Sequence, residues 1–305
     1  MMTMNALITS RDPNGRQATS LFEAAYNKAK LDDLRAQLLN EKGGELQAGI
    51  IKLINELTMS NQYASEETKS NYTYPSEYKG PKPIQQQIVA IADIFKLDPV
   101  HALEFAKNLP ELRSFVPKDA LEWTGWFAIP SIDALATRFF PEVTDPAEKY
   151  CRAIMLIHEK LAATRSFYNC REGQIDKEHL QMHVRTVAAI ETIQEAQKGD
   201  IMVIAAQLGM RHRGRSGRRA REVFSANEFG LSSLMVGSIA LAHPERFVRS
   251  EELDIDCAGD EWSSGGDGQF GRAPLFFFSD GLGFDAVDLD YFRDLFGSGS
   301  AFLSQ

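Results

Sequence analysis

"DIMVIAAQLGMRHRGRSGRRARE", residues 200–222, joins two opposite textures in one stretch. Residues 200–209 form a short apolar run rich in β-branched side chains and bounded by Gly199 and Gly209, the pattern of a buried strand. If the extended chain continues, Arg211, Arg213 and Arg215 recur at every second position and project to one side. After Ser216 and Gly217 the spacing turns helical: Arg218 and Arg221 share a face, with Arg219 and Glu222 beside them. Strand, glycine-bearing loop and helix start therefore follow in order. Arg218, Arg219 and Arg221 add three positive charges to a first helical turn whose unpaired N–H groups already carry partial positive charge. Such an arrangement calls for an anion.

The anion has two candidate sources. Guanidinium forks match phosphate oxygens and helix starts attract anions, so Arg211, Arg213, Arg215, Ser216, Arg218, Arg219 and Arg221 form a candidate phosphate-binding set. RNA or DNA is the leading external partner, held through its backbone phosphates with little sequence preference, since no aromatic residue lies in 209–223 to stack on bases. The internal source is the chain itself. Its net charge is −9, and residues 250–305 hold twelve Asp or Glu against Arg272 and Arg293, so an acidic segment begins thirty residues downstream of the loop. Folded back, it would neutralise the cluster as an ion-pair network.

Composition limits the remaining classes. Three cysteines, widely spaced and without a CxxC, indicate neither a disulfide framework nor a thiolate zinc site, and a reducing cytoplasm is the expected compartment. The longest strongly apolar run, 231–242, is too short to span a bilayer and is read as a buried helix. The N-terminal residues lack the features of a secretory signal.

Outward from the opening stretch, the sequence is expected to fold as a helix-rich α+β protein. An N-terminal helical hairpin precedes a mainly helical core domain, with a small sheet formed in the C-terminal third. Residues 1–19 read as a leader and 20–58 as the hairpin: a helix over 21–41 opened by Ser20 and Glu23, a stop at Gly43-Gly44, then the stripe Leu46, Ile50, Leu53 and Leu57. Polar residues 59–82 read as a linker, and 83–305 as the core with its acidic end at 250–305. Within the core, "EWTGWFAIP" (122–130) looks strand-like, and a helix is expected from Asp176 to about Gln197. "LFFFSDGLGFDAVDLD" (275–290) reads as a hairpin.

Other candidate sites are thinner. Asp254, Asp256, Asp260 and Glu261 offer clustered carboxylate oxygens for a divalent cation, although the run fails the EF-hand pattern at Ala258 and Gly265. His179 and His183, four apart on the expected helix, share a face, with Leu180 where a zinc protease has its glutamate. His158 beside a core stripe reads as a satisfied helix residue. Ser225 and Glu228 read as a capping box for the apolar helix 229–242. No Walker A, nucleophile-elbow or dinucleotide motif is present, and no catalytic residue is singled out.

Three functional expectations result. The first is a cytoplasmic, non-enzymatic protein without cofactor whose arginine loop binds nucleic acid. The second is an interaction or scaffold protein whose loop is locked to its own acidic C-terminal segment and whose N-terminal hairpin docks a protein partner. The third is a metal-dependent hydrolase that uses the 254–261 acids, with Arg213 or Arg215 orienting substrate phosphate.

Overall fold

A computed structural model describes residues 9–58, 61–250 and 252–304. Its contacts divide the chain into two compact units, Met1–Met59 and Ser60–Gln305.

The first unit is helical: α1 (Pro13–Lys28), α2 (Asp33–Glu41) and α3 (Gly43–Thr58). The single helix expected over 21–41 is thus two helices, and the first starts eight residues early. Pro13 supplies the first-turn proline of α1. The break comes at Lys30, whose φ of 49° ends a helical path, after which Asp32 caps α2 by accepting from the Arg35 N–H at 2.9 Å. Gly43-Gly44 does not act as a stop but opens α3. No residue of α1 or α2 is buried.

The second unit runs α4 (Ile84–Phe95), α5 (Val100–Phe105), α6 (Lys118–Leu121), β1 (Gly125–Pro130), α7 (Ile132–Phe139), α8 (Pro146–Thr164), β2 (Phe167–Asn169), β3 (Leu180–Met182), α9 (Val184–Gln197) and β4 (Ile201–Arg213). It continues with α10 (Gly217–Val223), β5 (Glu228–Gly230), α11 (Ser233–Ala242), β6 (Asp254–Asp256), β7 (Asp260–Trp262), β8 (Arg272–Phe278), β9 (Leu282–Asp288) and β10 (Phe296–Phe302). One ten-stranded mixed sheet organises this unit, with the path β1-β4-β10-β6-β8-β7-β3, β5 paired to β10, and β9 joining β8 to β2. The expectation of a small sheet in a mainly helical core is therefore corrected: the sheet is large and recruits strands from Gly125 onward.

The physical reason lies in β4. Its first ten residues are all buried, and a strand apolar on both faces has to be central, with a neighbour on each edge and cover on each side. On one edge β1 pairs antiparallel from Gly125↔Ala206 to Pro130↔Ile201, and on the other β10 pairs antiparallel from Phe302↔Ala205 to Ser300↔Gln207. Gly209 does not end the strand. It sits at φ 106° where the β4–β10 register shifts, and a Cβ there would stand 2.8 Å from the Gly297 carbonyl oxygen, so the position demands glycine. Beyond it the strand reaches Arg213.

α11 is apolar all round and buried almost throughout, and it packs with α8 and α4 against β1 and β8. Phe95, Phe127, Phe276, Phe284 and Trp262 anchor this core. Two local readings change. Residues 228–230 form β5, not the start of a helix, and α11 begins at Ser233 under a Ser232 cap. The helix expected from Asp176 is a capped turn followed by β3, with α9 starting only at Val184. His179 and His183 accordingly do not share a helical face.

Candidate functional site

The end of β4, the turn at Gly214 and the start of α10 hold the six arginines. Gly214 has φ 76°, and a Cβ on it would lie 2.1 Å from the Thr68 carbonyl oxygen. That contact exists because residues 61–82, which lack regular secondary structure, run as a strap across the turn. The Thr68 N–H donates to the Gly214 carbonyl at 2.8 Å, the Ser216 N–H donates to the Glu66 carbonyl at 3.0 Å, and Glu67 and Arg215 form a β-bridge. Ser216, fully buried, caps α10 by accepting from the Arg219 N–H at 3.1 Å, and its own hydroxyl donates to Glu66 at 2.7 Å. The residue read as a phosphate ligand therefore makes a helix cap and an internal hydrogen bond.

Each guanidinium meets the chain itself. Arg211 lies 3.1 Å from Asp119 and 3.4 Å from Glu228, and Arg215 lies 3.1 Å from Glu67. Arg218 forks onto Glu66, with Nε at 2.9 and 2.8 Å from its two oxygens, stands 3.6 Å from Asp290 and covers the Tyr63 ring. Arg219 bridges Glu67 at 3.3 Å and Glu222 at 2.7 Å. Arg221 pairs with Glu261 at 3.4 Å and donates to the Ala258 carbonyl at 2.9 Å and the Asp260 carbonyl at 2.5 Å. Arg213 has no carboxylate in this set and donates to the Tyr72 carbonyl at 2.9 Å.

The acids that do this come mostly from unexpected places. Glu66 and Glu67 belong to the strap, Asp119 to α6, and Glu222 and Glu228 lie beside the loop; among the described residues of the acidic C-terminal segment, Glu261 and Asp290 take part. Hydrogen bonding from Arg218, stronger than the opposing effect of burial, holds Glu66 below the usual carboxylate range. Burial works to raise Glu67, and hydrogen bonds from Arg215 and Arg219 overcome it. Both stay charged at neutral pH, as a network of this kind requires.

Beneath the loop lies a second network. The Glu228 carboxylate is fully buried: Oε1 accepts from His212 Nε2 at 2.7 Å and from the Ser300 hydroxyl at 2.6 Å, and Oε2 accepts from the Ser225 N–H at 2.9 Å. Gln207 extends it by donating to the Ser300 hydroxyl and the Ser298 carbonyl, both at 2.9 Å. Burial pushes Glu228 up, but the pairing with His212 and Arg211 more than offsets this and brings it to about 2. Burial lowers His212. Its Nδ1 faces an Arg215 N–H at 3.2 Å, so a neutral ring that accepts at Nδ1 and donates at Nε2 satisfies both neighbours. The Ser225–Glu228 hydrogen bond read as half of a capping box is real, but it closes a turn between a helix and a strand.

The proposed metal set is not brought together. β6 and β7 follow one another along the single edge of β8 that β9 leaves free, at Leu275–Phe276 and at Arg272, and the four acids turn to different surroundings. Among the described residues no group of three or more His, Cys, Asp or Glu is placed to hold a metal ion. Asp260 instead accepts from the Tyr150 hydroxyl at 2.5 Å and from the Ser233 N–H at 2.6 Å, tying α8 to the first turn of α11, and burial raises it to about 6. Glu261 accepts from Gln181 at 2.9 Å. Burial raises Asp254 to about 7 and, with Asp254 adding to it, Asp256 to about 8; Asp256 Oδ1 has no hydrogen-bond partner.

The histidines are likewise structural in placement. His179 Nδ1 lies 2.8 Å from Asp176, and His183 caps α9. His158, expected to be satisfied, has no partner at either ring nitrogen. It packs among Phe167, Phe284 and Phe276, and burial drives it down to about 3.

Sequence reasoning missed the Glu66-Glu67 pair, Asp119, and the Gln207–His212–Ser300 part of the buried network. Two adjacent acids in a polar segment were the one available signal for the strap. Nothing local distinguishes Ser300 from any other serine. Among the described residues no helix is long and apolar enough to cross a membrane. No known family model, characterised protein or solved structure matches the chain.

Proposed function

We propose that this chain is a protein-interaction or scaffold protein whose arginine loop serves as an internal fastener and whose N-terminal helices supply the docking surface. The observation that carries this reading is the destination of the guanidiniums: five of the six meet a carboxylate of the same chain and Arg213 meets a carbonyl. A phosphate ligand would have to displace Glu66 and Glu67, and with them the backbone hydrogen bonds that seat the strap on Gly214 and Ser216. The fastener joins four parts of the second unit, namely the strap, α6, α10 and the β7 edge. This gives the arginines a purpose without a ligand. The absence of exposed aromatic stacking positions in the loop supports the same reading.

The test is a salt series of binding to a random-sequence oligonucleotide. No binding is expected even at low ionic strength. Tight binding whose logarithm falls by several units per log unit of salt would overturn the proposal in favour of a nucleic-acid interface.

A further inference from the structure

We propose that a polar cleft of about 840 Å³ at one end of the β1–β4 pair binds a small, multiply charged oxyanion, a compound that carries phosphate or carboxylate groups. None of the lining residues belongs to the arginine loop or to the N-terminal helices, so this goes beyond the docking role. Three turns of the chain build the cleft. α4 ends at Lys96 and α9 at Lys198, and both lysines take the left-handed conformation, φ 54° and 43°, with each N–H donating to the carbonyl four residues back. Few side chains adopt it: among the described residues only Lys30 does so besides these two and glycine. The two turns share a sequence pattern, Lys96-Leu97-Asp98 and Lys198-Gly199-Asp200, and they are tied together, since the Asp98 N–H donates to Asp200 Oδ2 at 3.0 Å. The third turn joins β1 to α7, and its Ser131 N–H donates to the Asp200 carbonyl at 2.8 Å. Both lysines and both aspartates, with Asp133 and Arg138 of α7, therefore line one cleft over a hydrogen-bonded floor.

Charge selects the ligand. The cleft holds three carboxylates and three cations that do not pair with one another. Each acid is engaged by a neighbour in the chain: Asp133 by Lys149 at 2.9 Å, Asp98 by the Val100 N–H at 2.9 Å, and Asp200 by the Asp98 N–H. Among the described residues no carboxylate pairs with Lys96, Arg138 or Lys198. The arginine loop is the opposite case, because there the chain's own acids meet the guanidiniums and here a concave surface leaves the cations open. With Lys149 included, the lining and its direct partner carry four positive charges against three negative ones, in a chain whose net charge is −9. Two ammonium groups and a planar guanidinium suit a ligand with more than one oxyanion group, the lysines as point charges and the arginine as a fork. An apolar ligand finds no wall here: among the described residues that line the cleft, Leu97 and Ala134 are the only apolar side chains.

The experiment is calorimetric titration of the full chain, at low ionic strength, with pyrophosphate and separately with citrate. Binding of at least one with a Kd below about 1 mM is expected. Pyrophosphate alone assigns the site to phosphate compounds and citrate alone to polycarboxylates, whereas both together leave the shared oxyanion chemistry. Arg138→Gln and Lys198→Gln, both on exposed residues, should each weaken binding about tenfold, and Lys79→Gln, outside the cleft, should leave it unchanged. A second measurement on the unaltered chain covers variants that fail to fold: acetic anhydride labelling, read by mass spectrometry, should slow at Lys96 and Lys198 when the ion is present and stay constant at Lys79. No binding of either ion up to about 10 mM overturns the inference. So does binding that both substitutions leave unchanged, or labelling of both cleft lysines that the ion does not slow. None of these outcomes bears on the docking reading, which the oligonucleotide series decides.

Discussion

The second unit and the N-terminal helices treat the same problem in opposite ways. In Ser60–Gln305 the chain's own groups meet almost every demand that the sequence makes: the strand β4 gains a neighbour on both edges, α11 is enclosed, and the arginines find carboxylates. In α1 and α2 the apolar stripes are as regular, yet nothing in either helix is buried. The difference teaches that an amphipathic pattern reports a need for cover and is silent on who supplies it. The same holds for charge. Six arginines report a need for anions, and here the anions come from a strap some 150 residues upstream.

The sharpest way to test the contrast is to truncate one apolar side chain on each side of it. Phe276→Ala removes a fully buried ring that touches His158, Phe247 and Phe284, and should cost about 3–5 kcal/mol in urea unfolding. Leu57→Ala, on a side chain mostly exposed, should cost less than about 0.5 kcal/mol in the monomer. A Leu57→Ala cost comparable to that of Phe276→Ala would abolish the distinction between the units.

Charge offers a second, smaller contrast within the second unit. Glu228→Ala leaves His212, Ser300 and the Ser225 N–H without their acceptor in a dry interior, at an expected cost of about 3 kcal/mol. Glu66→Ala breaks a partly exposed pairing that water can replace, so about 1 kcal/mol is expected. Chemical denaturation of the two variants decides. If Glu66→Ala proved the costlier, the strap and not the buried network would hold the loop.

The last comparison concerns pH and sets the paired acids against the lone one. Asp256, raised by burial to about 8, keeps its proton in the fold while the unfolded chain has lost it, so stability declines as pH rises toward 8. Below pH 6.5 the buried His158 acts in the opposite sense, because the unfolded chain binds a proton that the fold refuses down to about pH 3. Between pH 6.5 and 8 Asp256 contributes about 2 kcal/mol at ~1.4 kcal/mol per pH unit, and Asp254, raised to about 7, adds to it in the lower part of that window. Asp256→Asn should flatten the urea midpoint across that window. An unchanged slope would place the proton elsewhere.

Much of the local structure was legible because it depends on short-range periodicity. The apolar run at 201–208, the strand within 122–130 and the hairpin that became β8 and β9 all rest on residues a few positions apart. The readings that failed needed a distant partner. β10, "FGSGSAF", has too little side chain to look like a strand, and it is one only because β4, β5 and β6 flank it. The helix expected over 176–183 gave way because Leu180 to Met182 pair with β7.

By itself the sequence determined that a strand feeds a crowded arginine turn and a short helix, that the chain is acidic outside its neutral first 59 residues, and that an apolar face runs along each N-terminal helix. Only the tertiary structure decided which carboxylates answer the arginines, that Asp260 is taken up by Tyr150 and the Ser233 N–H, and that Asp256 Oδ1 is left without a partner. The physical reason is one of range. Side-chain period and capping are set within a few residues, whereas a charge's counterion and a strand's neighbour are chosen by the register and order of a sheet assembled across the whole second unit.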